Sequence, residues 1–501
     1  MIYTAERPPV GTVRDWLEAR AQTDQTAIVF PDTGDSLSWH DLRAEAARMA
    51  QGMYATGIAK GESVAIIHPN GREGILALFA ALFGGFRATM INLAAGPDAI
   101  AYALDHSGAR FVFLHDSQRA TFAQVAPDGM QILAPDRLAG TAPLPDLAPD
   151  DHALLMYTSG TTGKPKGVVH THASLLAGGW TTAVAHELGR EDRGLCVLPI
   201  YHINGLCVTV MGALVSGGSF AMVPRFSASR FWDQAETGEI TWFSVVPTII
   251  SHLLHGEAAP GDSLRERLRF VRSASSALAV ETQTAFESRF GVPIIETMGL
   301  TETAAQVLSN PLPPGTRKVG SPGVAYGNEV RILTADLQEA PRGQEGEIAI
   351  RGPNVMREYL HNPDATAGTF AGDWLRTGDL GRMDADGYVF VTGRLKELII
   401  KGGENIAPRE IDEVLYAHPE VVEAAAFARQ CPRYGETVEA AVALKPGAQL
   451  AMDDLMALCQ DRLGAFKSPG IIHLLEELPK GPSGKIQRLK LAELIPERAG
   501  A

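Results

Sequence analysis

Residues Thr158–Gly167 read TSGTTGKPKG and follow directly on the apolar run Leu154–Met156. Glycines at 160, 163 and 167 let the backbone turn tightly and aim successive N–H groups at one point. The hydroxyls of Thr158, Ser159, Thr161 and Thr162 add donors, and Lys164 and Lys166 add positive charge. A strand running into such a loop is a cradle for phosphate oxygens. It is not a Walker A loop, because GxxxxGK[ST] fails in spacing and in the residue after Lys164. A plain Gly/Thr surface turn would not need ten consecutive residues of this composition.

Working outward, short apolar runs at Val64–Ile67, Phe111–Leu114 and Trp242–Val246 predict buried strands, and Trp39–Ala55 and Phe231–Glu236 predict helices. Such alternation indicates an α/β architecture. Leu76–Phe83 is apolar on all sides but too short to cross a membrane, so a core helix is expected. From Gly194 to Pro224 there is no Asp, Glu, Lys or Arg, yet Pro199, His202, Asn204 and Gly217-Gly218 interrupt the run. A buried strand-turn-helix segment is expected there rather than a membrane span. The texture changes near Gly393: a strand over Gly387–Thr392 gives way to a helix from Pro408, strands at Val421–Phe427 and Val438–Leu444, and a helix around Leu455–Leu463. A small α+β unit is therefore predicted to begin near residue 395.

At 501 residues the chain has room for about three domains of ordinary size, with two equally compatible. A hydrophobic fraction of 45% and a charged fraction of 20% suit a chain with a sizeable core. The formal charge of −14 argues against wholesale binding to nucleic acid or to an anionic membrane, while leaving room for a local basic pocket. Cys196, Cys207, Cys431 and Cys459 are too sparse for a disulfide framework, which favours a reducing cytoplasm. The N-terminal MIYTAERPPV lacks the pattern of a signal peptide, and the terminal RAGA is not a peroxisomal address.

Four further motifs follow the first in order: MGLTE at Met298–Glu302, RTGD at Arg376–Asp379, GRLKE at Gly393–Glu397 and KGPSGK at Lys480–Lys485. Together the five resemble the signature of the AMP-forming adenylating superfamily, which includes acyl-CoA synthetases, luciferases and the adenylation domains of peptide synthetases. The resemblance implies an α/β fold in two domains. A large N-terminal domain, residues 1–395, would carry stacked sheets and a barrel-like subdomain. A small mobile C-terminal α+β domain, residues 396–501, would swing about a hinge at Lys396.

The resemblance also implies roles. The Thr158–Gly167 loop would close over the triphosphate of ATP, Thr301 would contact the α-phosphate, and Glu302 would help to hold Mg²⁺, which prefers hard oxygen ligands. Asp379 would accept hydrogen bonds from the ribose hydroxyls, with Arg394 assisting at ribose or phosphate. Met298 stands where many relatives stack an aromatic ring on adenine, beside Gly299. Lys485 would reach the α-phosphate and the substrate carboxylate during adenylation. Gly402 and Gly403, in KGGEN, would admit the pantetheine arm of CoA in a second pose; a plain β-turn competes for that segment. His202 would gate the acyl pocket, and Asn204, Ser275 and Ser276 make that pocket polar, favouring a short or polar acid.

The expected activity is thus an Mg²⁺-dependent acid–CoA ligase that proceeds through an acyl-adenylate. The alternatives are transfer of the acyl group to a carrier protein, or a medium- or long-chain fatty acyl-CoA synthetase. With the sequence stopping soon after Lys485, a fused carrier domain is not expected. The partners expected are small molecules, with no nucleic acid and no membrane span; a homodimer is the default assumption for assembly. No His or Cys pair has metal-ligand spacing on one element.

Overall fold

The computed structural model describes residues 3–138, 140–158, 165–445, 447–481 and 486–496. Ser159, Gly160, Thr161, Thr162, Gly163, Lys164 and Lys485 lie outside the described residues. The fold is mixed α/β, with a large N-terminal assembly of three sheets and a smaller C-terminal unit built on a fourth.

The first large sheet has the strand order Val324–Ala325, Ala305–Ser309, Ile294–Leu300, Phe270–Ser273, Trp242–Val245, Arg193–Cys196, Ser219–Met222, Thr26–Phe30, Asp35–Ser38. Its six central strands are parallel, and its edges turn antiparallel. The second sheet runs Glu358–Tyr359, Lys166–Thr171, His152–Thr158, Arg87–Met90, Ser63–Ile67, Phe111–Leu114, Gln131–Leu133. Parallel strands covered on both faces read as unbroken apolar runs, and this is why FVFL and SVAII were legible as strands.

One apolar cluster takes in residues of both sheets together with the helices Trp39–Ala55, Arg72–Gly84 and His172–Ala185. The helix Arg72–Gly84 is buried from Gly74 to Gly84, as its all-round apolarity requires. The helix Trp39–Ala55 starts at a reciprocal cap: the Asp41 N–H donates to Ser38 Oγ at 3.0 Å, and the Ser38 N–H to Asp41 Oδ2 at 3.3 Å. The charge-free segment forms the strand Arg193–Cys196, a π-type helix Asn204–Met211, the short helix Gly212–Ser216 and the strand Ser219–Met222, nearly all of it buried. Among the described residues no helix is long and apolar enough to cross a membrane.

The third sheet is antiparallel throughout. It joins Glu329–Leu333, Glu345–Arg351, Trp374–Met383 and Phe370–Ala371, with Val389–Arg394 also pairing with Trp374–Met383. The strand expected over 387–392 lies two residues later, because Gly387 adopts φ +90° in the turn that precedes it.

From Ile399 onward the apolar residues pack in their own clusters around the strands Ile399–Lys401, Glu404–Ile406, Val421–Cys431, Gly435–Leu444 and Ile471–Leu474. Two helices, Pro408–Tyr416 and Met452–Lys467, cover this sheet; Ile411 and Leu415 are fully buried on the first of them.

Candidate active site

Two of the motifs sit where parallel strands end. The strand His152–Thr158, parallel to Arg87–Met90, leads into the glycine-rich loop and returns as Lys166–Thr171, with Thr158 paired to Lys166. The strand Ile294–Leu300, the last parallel strand of the larger sheet, turns through Thr301–Thr303 and returns as Ala305–Ser309. In open α/β sheets the carboxyl ends of the strands are where ligands collect.

The Thr301–Glu302 turn is held from three sides. His170 Nε2 donates to the Thr301 carbonyl at 2.7 Å, with Nδ1 on Ser174 Oγ at 3.0 Å. Burial pushes this imidazole down to about 4, so at neutral pH it is an uncharged strut. Asn354 Nδ2 donates to the Thr303 carbonyl at 2.7 Å. The Met356 N–H donates to the Glu302 carbonyl at 2.7 Å. Two consecutive non-glycine residues, Ala304 and Ala305, take φ +45° and +79° to complete the reversal.

Tyr359 is a functional candidate with no motif to announce it. Its hydroxyl donates to Glu302 Oε1 at 2.8 Å, and Lys166 Nζ lies 4.4 Å from its ring centroid. Burial and the Glu302 charge push its phenol well above its ordinary value, so it remains a donor. Tyr359 arrives here because Glu358–Tyr359 pairs antiparallel with Val168–Val169 of the returning strand. One carboxylate, one phenol and one ammonium are thus gathered next to the loop. Among the described residues no group of three His, Cys, Asp or Glu side chains could hold a metal by itself. A lone carboxylate such as that of Glu302 could serve Mg²⁺ only where phosphate oxygens and water supply most of the ligands.

Asp379 and Arg394 are brought together by the register of adjacent strands, and Arg394 Nε donates to Asp379 Oδ1. Burial works against the guanidinium's charge, but Asp379, Glu397 and Glu302 outweigh it and hold its proton more tightly than usual. The TGD turn is fixed by Glu347, which the sequence did not mark. Its carboxylate accepts from the Gly378 N–H at 2.9 Å and from Arg376 Nε at 2.8 Å. Asp379 is 8% exposed, with Thr377 Oγ1 accepting from its own N–H at 3.0 Å.

A third group forms around Asn204. Asn204 opens the π-type helix, and its Nδ2 donates to Ser275 Oγ at 3.3 Å while its Oδ1 accepts from Ser244 Oγ at 3.1 Å. Ser275 is exposed and takes φ +75°; Ser276 is half-buried. His202 lies two residues before Asn204, its ring 5.0 Å from that of Tyr201. Met298 is half-buried and packs against an apolar cluster containing Val307 and Leu308. Gly299 meets a steric demand: a Cβ there would lie 1.6 Å from the Ala305 carbonyl oxygen.

The remaining candidates lie on or beside the small unit. Lys396 is exposed in the 3₁₀ turn Leu395–Glu397. Gly402 and Gly403 form the two-residue turn between Ile399–Lys401 and Glu404–Ile406, with φ of +59° and +89°. That turn geometry alone accounts for both glycines. A surface cleft of about 590 Å³ lined by Glu187, Arg269, Glu287 and Arg317, among others, contains none of the motif residues.

Glu296 is one strand position from Thr297, whose hydroxyl donates to the Ser273 carbonyl at 3.1 Å. It is 3% exposed, with one carboxylate oxygen 3.4 Å from the Leu278 N–H and the other unpartnered among the described residues. Burial raises its pKa from 4.5 to about 7; Arg409 of the small unit opposes this and Glu413 reinforces it. Between those two pH values the folded chain binds more protons than the unfolded one. Stability therefore falls as pH rises through the window, by up to ~3 kcal/mol once the group is ionised. Glu296→Gln is expected to raise the melting temperature at pH 8 and to leave it nearly unchanged at pH 4.5, measured by scanning calorimetry. An equal shift at both pH values would contradict this.

Comparison with known proteins returns two family models: AMP-binding enzyme over residues 16–360, and AMP-binding enzyme C-terminal domain over residues 410–485. The chain is 46% identical over 486 residues to a sulfoacetate–CoA ligase of Cupriavidus necator, covering 93% of this chain and 94% of that one. It is 34% identical over 480 residues to an oxalate–CoA ligase of Arabidopsis thaliana, with 92% and 93% covered. Its fold matches the crystal structure of ATP-bound MatB from Rhodopseudomonas palustris at a TM-score of 0.89, with 29% identity and 97% and 99% coverage.

Proposed function

Because the chain belongs to the AMP-binding enzyme family and is an ATP-dependent acid–CoA ligase, we propose that its acid is short and polar and that the residues assembled above carry its chemistry. The reaction has two steps. The acid's carboxylate attacks the α-phosphate of ATP, forming an acyl-adenylate and releasing pyrophosphate. The thiol of CoA then attacks the acyl carbon, and AMP leaves.

In the first step two anions must approach each other, so the site has to supply positive charge and donors where charge builds up. Lys166, the Thr158–Gly167 loop and Lys485 are the groups we assign to the phosphates, with Thr301 at the α-phosphate. Glu302 would hold Mg²⁺, which when bound neutralises phosphate charge; Tyr359 fixes one Glu302 oxygen and leaves the other available. Asp379, steadied by Arg394, is assigned to the ribose hydroxyls. Met298 and Gly299 are assigned to the adenine side. We place the hinge at Lys396, between domains 1–395 and 396–501, with Gly402 and Gly403 meeting CoA in the thioester-forming pose. A cytoplasmic enzyme agrees with four free cysteines, and a homodimer remains our default for assembly because twofold assemblies predominate.

The observation that carries the acid class is the hydrogen-bonded Asn204–Ser275–Ser244 cluster, which, read as part of the acid pocket, would set three polar side chains against a long alkyl chain. A relative named for sulfoacetate and another named for oxalate agree with it. The test is CoA-dependent AMP release across a panel of short, hydroxylated, dicarboxylic, sulfonated, aromatic and fatty acids. Short polar acids are expected to exceed octanoate and longer acids by roughly 100-fold or more in kcat/KM. A preference for long fatty acids would overturn the acid class, and AMP release that needs a carrier protein in place of CoA would overturn the acceptor.

A further inference from the structure

Arg272 is a buried cation without an anion. It is the third residue of the strand Phe270–Ser273 and is 1% exposed. Its Nε donates to Gln306 Oε1 at 2.8 Å, and its Nη1 donates to Asn204 Oδ1 and to Ser244 Oγ, both at 2.9 Å. All three acceptors are neutral, and Nη2 makes no hydrogen bond among the described residues. Gln306 Oε1 also accepts from His186 Nε2 at 3.0 Å, and burial together with Arg272 pushes that imidazole down to about 3, so it too is uncharged. Burial alone pushes the guanidinium down to about 9; among the described residues no carboxylate is near enough to oppose it, and at neutral pH it keeps its proton.

Other enclosed guanidinium groups in this fold meet carboxylates or backbone carbonyls, and Arg20 donates to the Leu214 and Val215 carbonyls. Arg429 lies 3.1 Å from Glu439, and Arg488 lies 2.5 Å from Asp412. A charge kept in the interior without a counter-ion is costly, and a folded chain retains one where something else supplies the opposite charge. The polar file leading to Arg272 starts at the surface: Ser275 is exposed, Asn204 is 7% exposed beneath it, and Arg272 lies beneath Asn204.

We propose that Arg272 recognises a second anionic group on the substrate, a carboxylate or sulfonate at the end remote from the carboxylate being activated, and that the enzyme therefore selects short acids with two anionic groups. This rests on reading the Asn204–Ser275 cluster as the acid pocket. A guanidinium offers paired donors to either anion, and a charge-assisted bond in a dry site discriminates strongly against an acid lacking the group.

The test measures kcat/KM for CoA-dependent AMP release with oxalate, malonate and sulfoacetate against acetate, propionate and butyrate. In the wild-type enzyme at least one two-anion acid is expected to exceed the best one-anion acid by roughly 100-fold. Arg272→Gln is expected to collapse that ratio by a similar factor, mainly through KM for the two-anion acid, and Arg272→Lys to restore part of it. Asn204→Asp supplies an internal counter-ion. It is expected to raise the melting temperature and to collapse the same ratio, so the inference stays testable even if Arg272→Gln folds poorly. The two carboxylate arms and the sulfonate arm decide which anion is preferred. If Arg272→Gln lowers every acid equally, the residue is structural and the inference falls. If the wild-type enzyme prefers one-anion acids, the inference falls while the ligase reading stands. If no acid in either set supports AMP release, the acid class under the proposed function falls, and this inference with it.

Discussion

Lys485→Ala lowers acid-dependent pyrophosphate release by roughly 10²- to 10³-fold, the usual cost of removing a donor aimed at charge that develops in the transition state. Thioester formation from a chemically prepared acyl-adenylate keeps most of its rate, because the α-phosphate has already reacted. The lysine sits within KGPSGK, whose stem is anchored. Lys480 and Ile486 pair across the loop, and Lys480 Nζ contacts Glu423 at 2.7 Å and Glu477 at 2.6 Å. Lys480 is thereby neutralised in place and unsuited to reach a phosphate. Lys480→Ala should accordingly lower stability more than it lowers adenylation. The two half-reactions, followed separately as pyrophosphate release and as CoA consumption, distinguish these outcomes. An unchanged rate of pyrophosphate release in Lys485→Ala would remove Lys485 from the first step.

Gly299→Ala is expected to be the most disruptive single methyl group in the site. The added Cβ would lie 1.6 Å from the Ala305 carbonyl oxygen and 2.3 Å from its carbon, both backbone atoms of the facing strand. The pairing already shifts register between Met298 and Gly299, so the hairpin has no slack on that side. Relief requires moving the turn that carries Thr301 and Glu302. We expect a cost of about 3 kcal/mol, at the upper end for overpacking, a fall of roughly 3–5 °C in the melting temperature of so large a domain, and a loss of adenylation in whatever protein still folds. Gly368→Ala is the control. That glycine lies in the helix Pro363–Thr369 with nothing within 4 Å of its would-be Cβ, and the change should be neutral or mildly stabilising. Thermal unfolding of the two variants side by side is decisive, since equal behaviour would mean that the close approach at Gly299 costs nothing.

Much of the framework could be read in advance because local chemistry and tertiary role coincide. Trp39–Ala55 is a helix over the expected residues since Ser38 and Asp41 supply a cap and Trp39, Leu42, Ala46 and Met49 supply the buried stripe. The five motifs were legible because glycine, hydroxyl and lysine spacings serve the loop itself. What could not be read depends on distant pairing or on winding. Tyr359 reaches Glu302 only because a two-residue strand pairs with residues nearly two hundred positions earlier. Glu347 looks like any charged residue at the start of a strand until Gly378 and Arg376 fold onto it. The π-type winding of Asn204–Met211 leaves no trace in composition. Arg272 did carry a signal: an arginine inside FVRS, a strand short and apolar enough to be buried, is a charge in the wrong place.

The separation of the apolar clusters sets a geometric leash. Val391 packs with the third sheet and Ile399 with the small unit. Eight residue steps connect them, a span of about 28 Å at full extension. Any arrangement of the small unit that this chain adopts must keep Ile399 inside that radius. Its loops therefore meet the larger unit as a tethered reactant, at an effective concentration in the millimolar range or above. On the proposed hinge, Lys485 and the Gly402-Gly403 turn would need no affinity of their own to reach the nucleotide. Their relative timing would be a matter of rotation about a short link and not of encounter, which would make the two half-reactions independent of enzyme concentration.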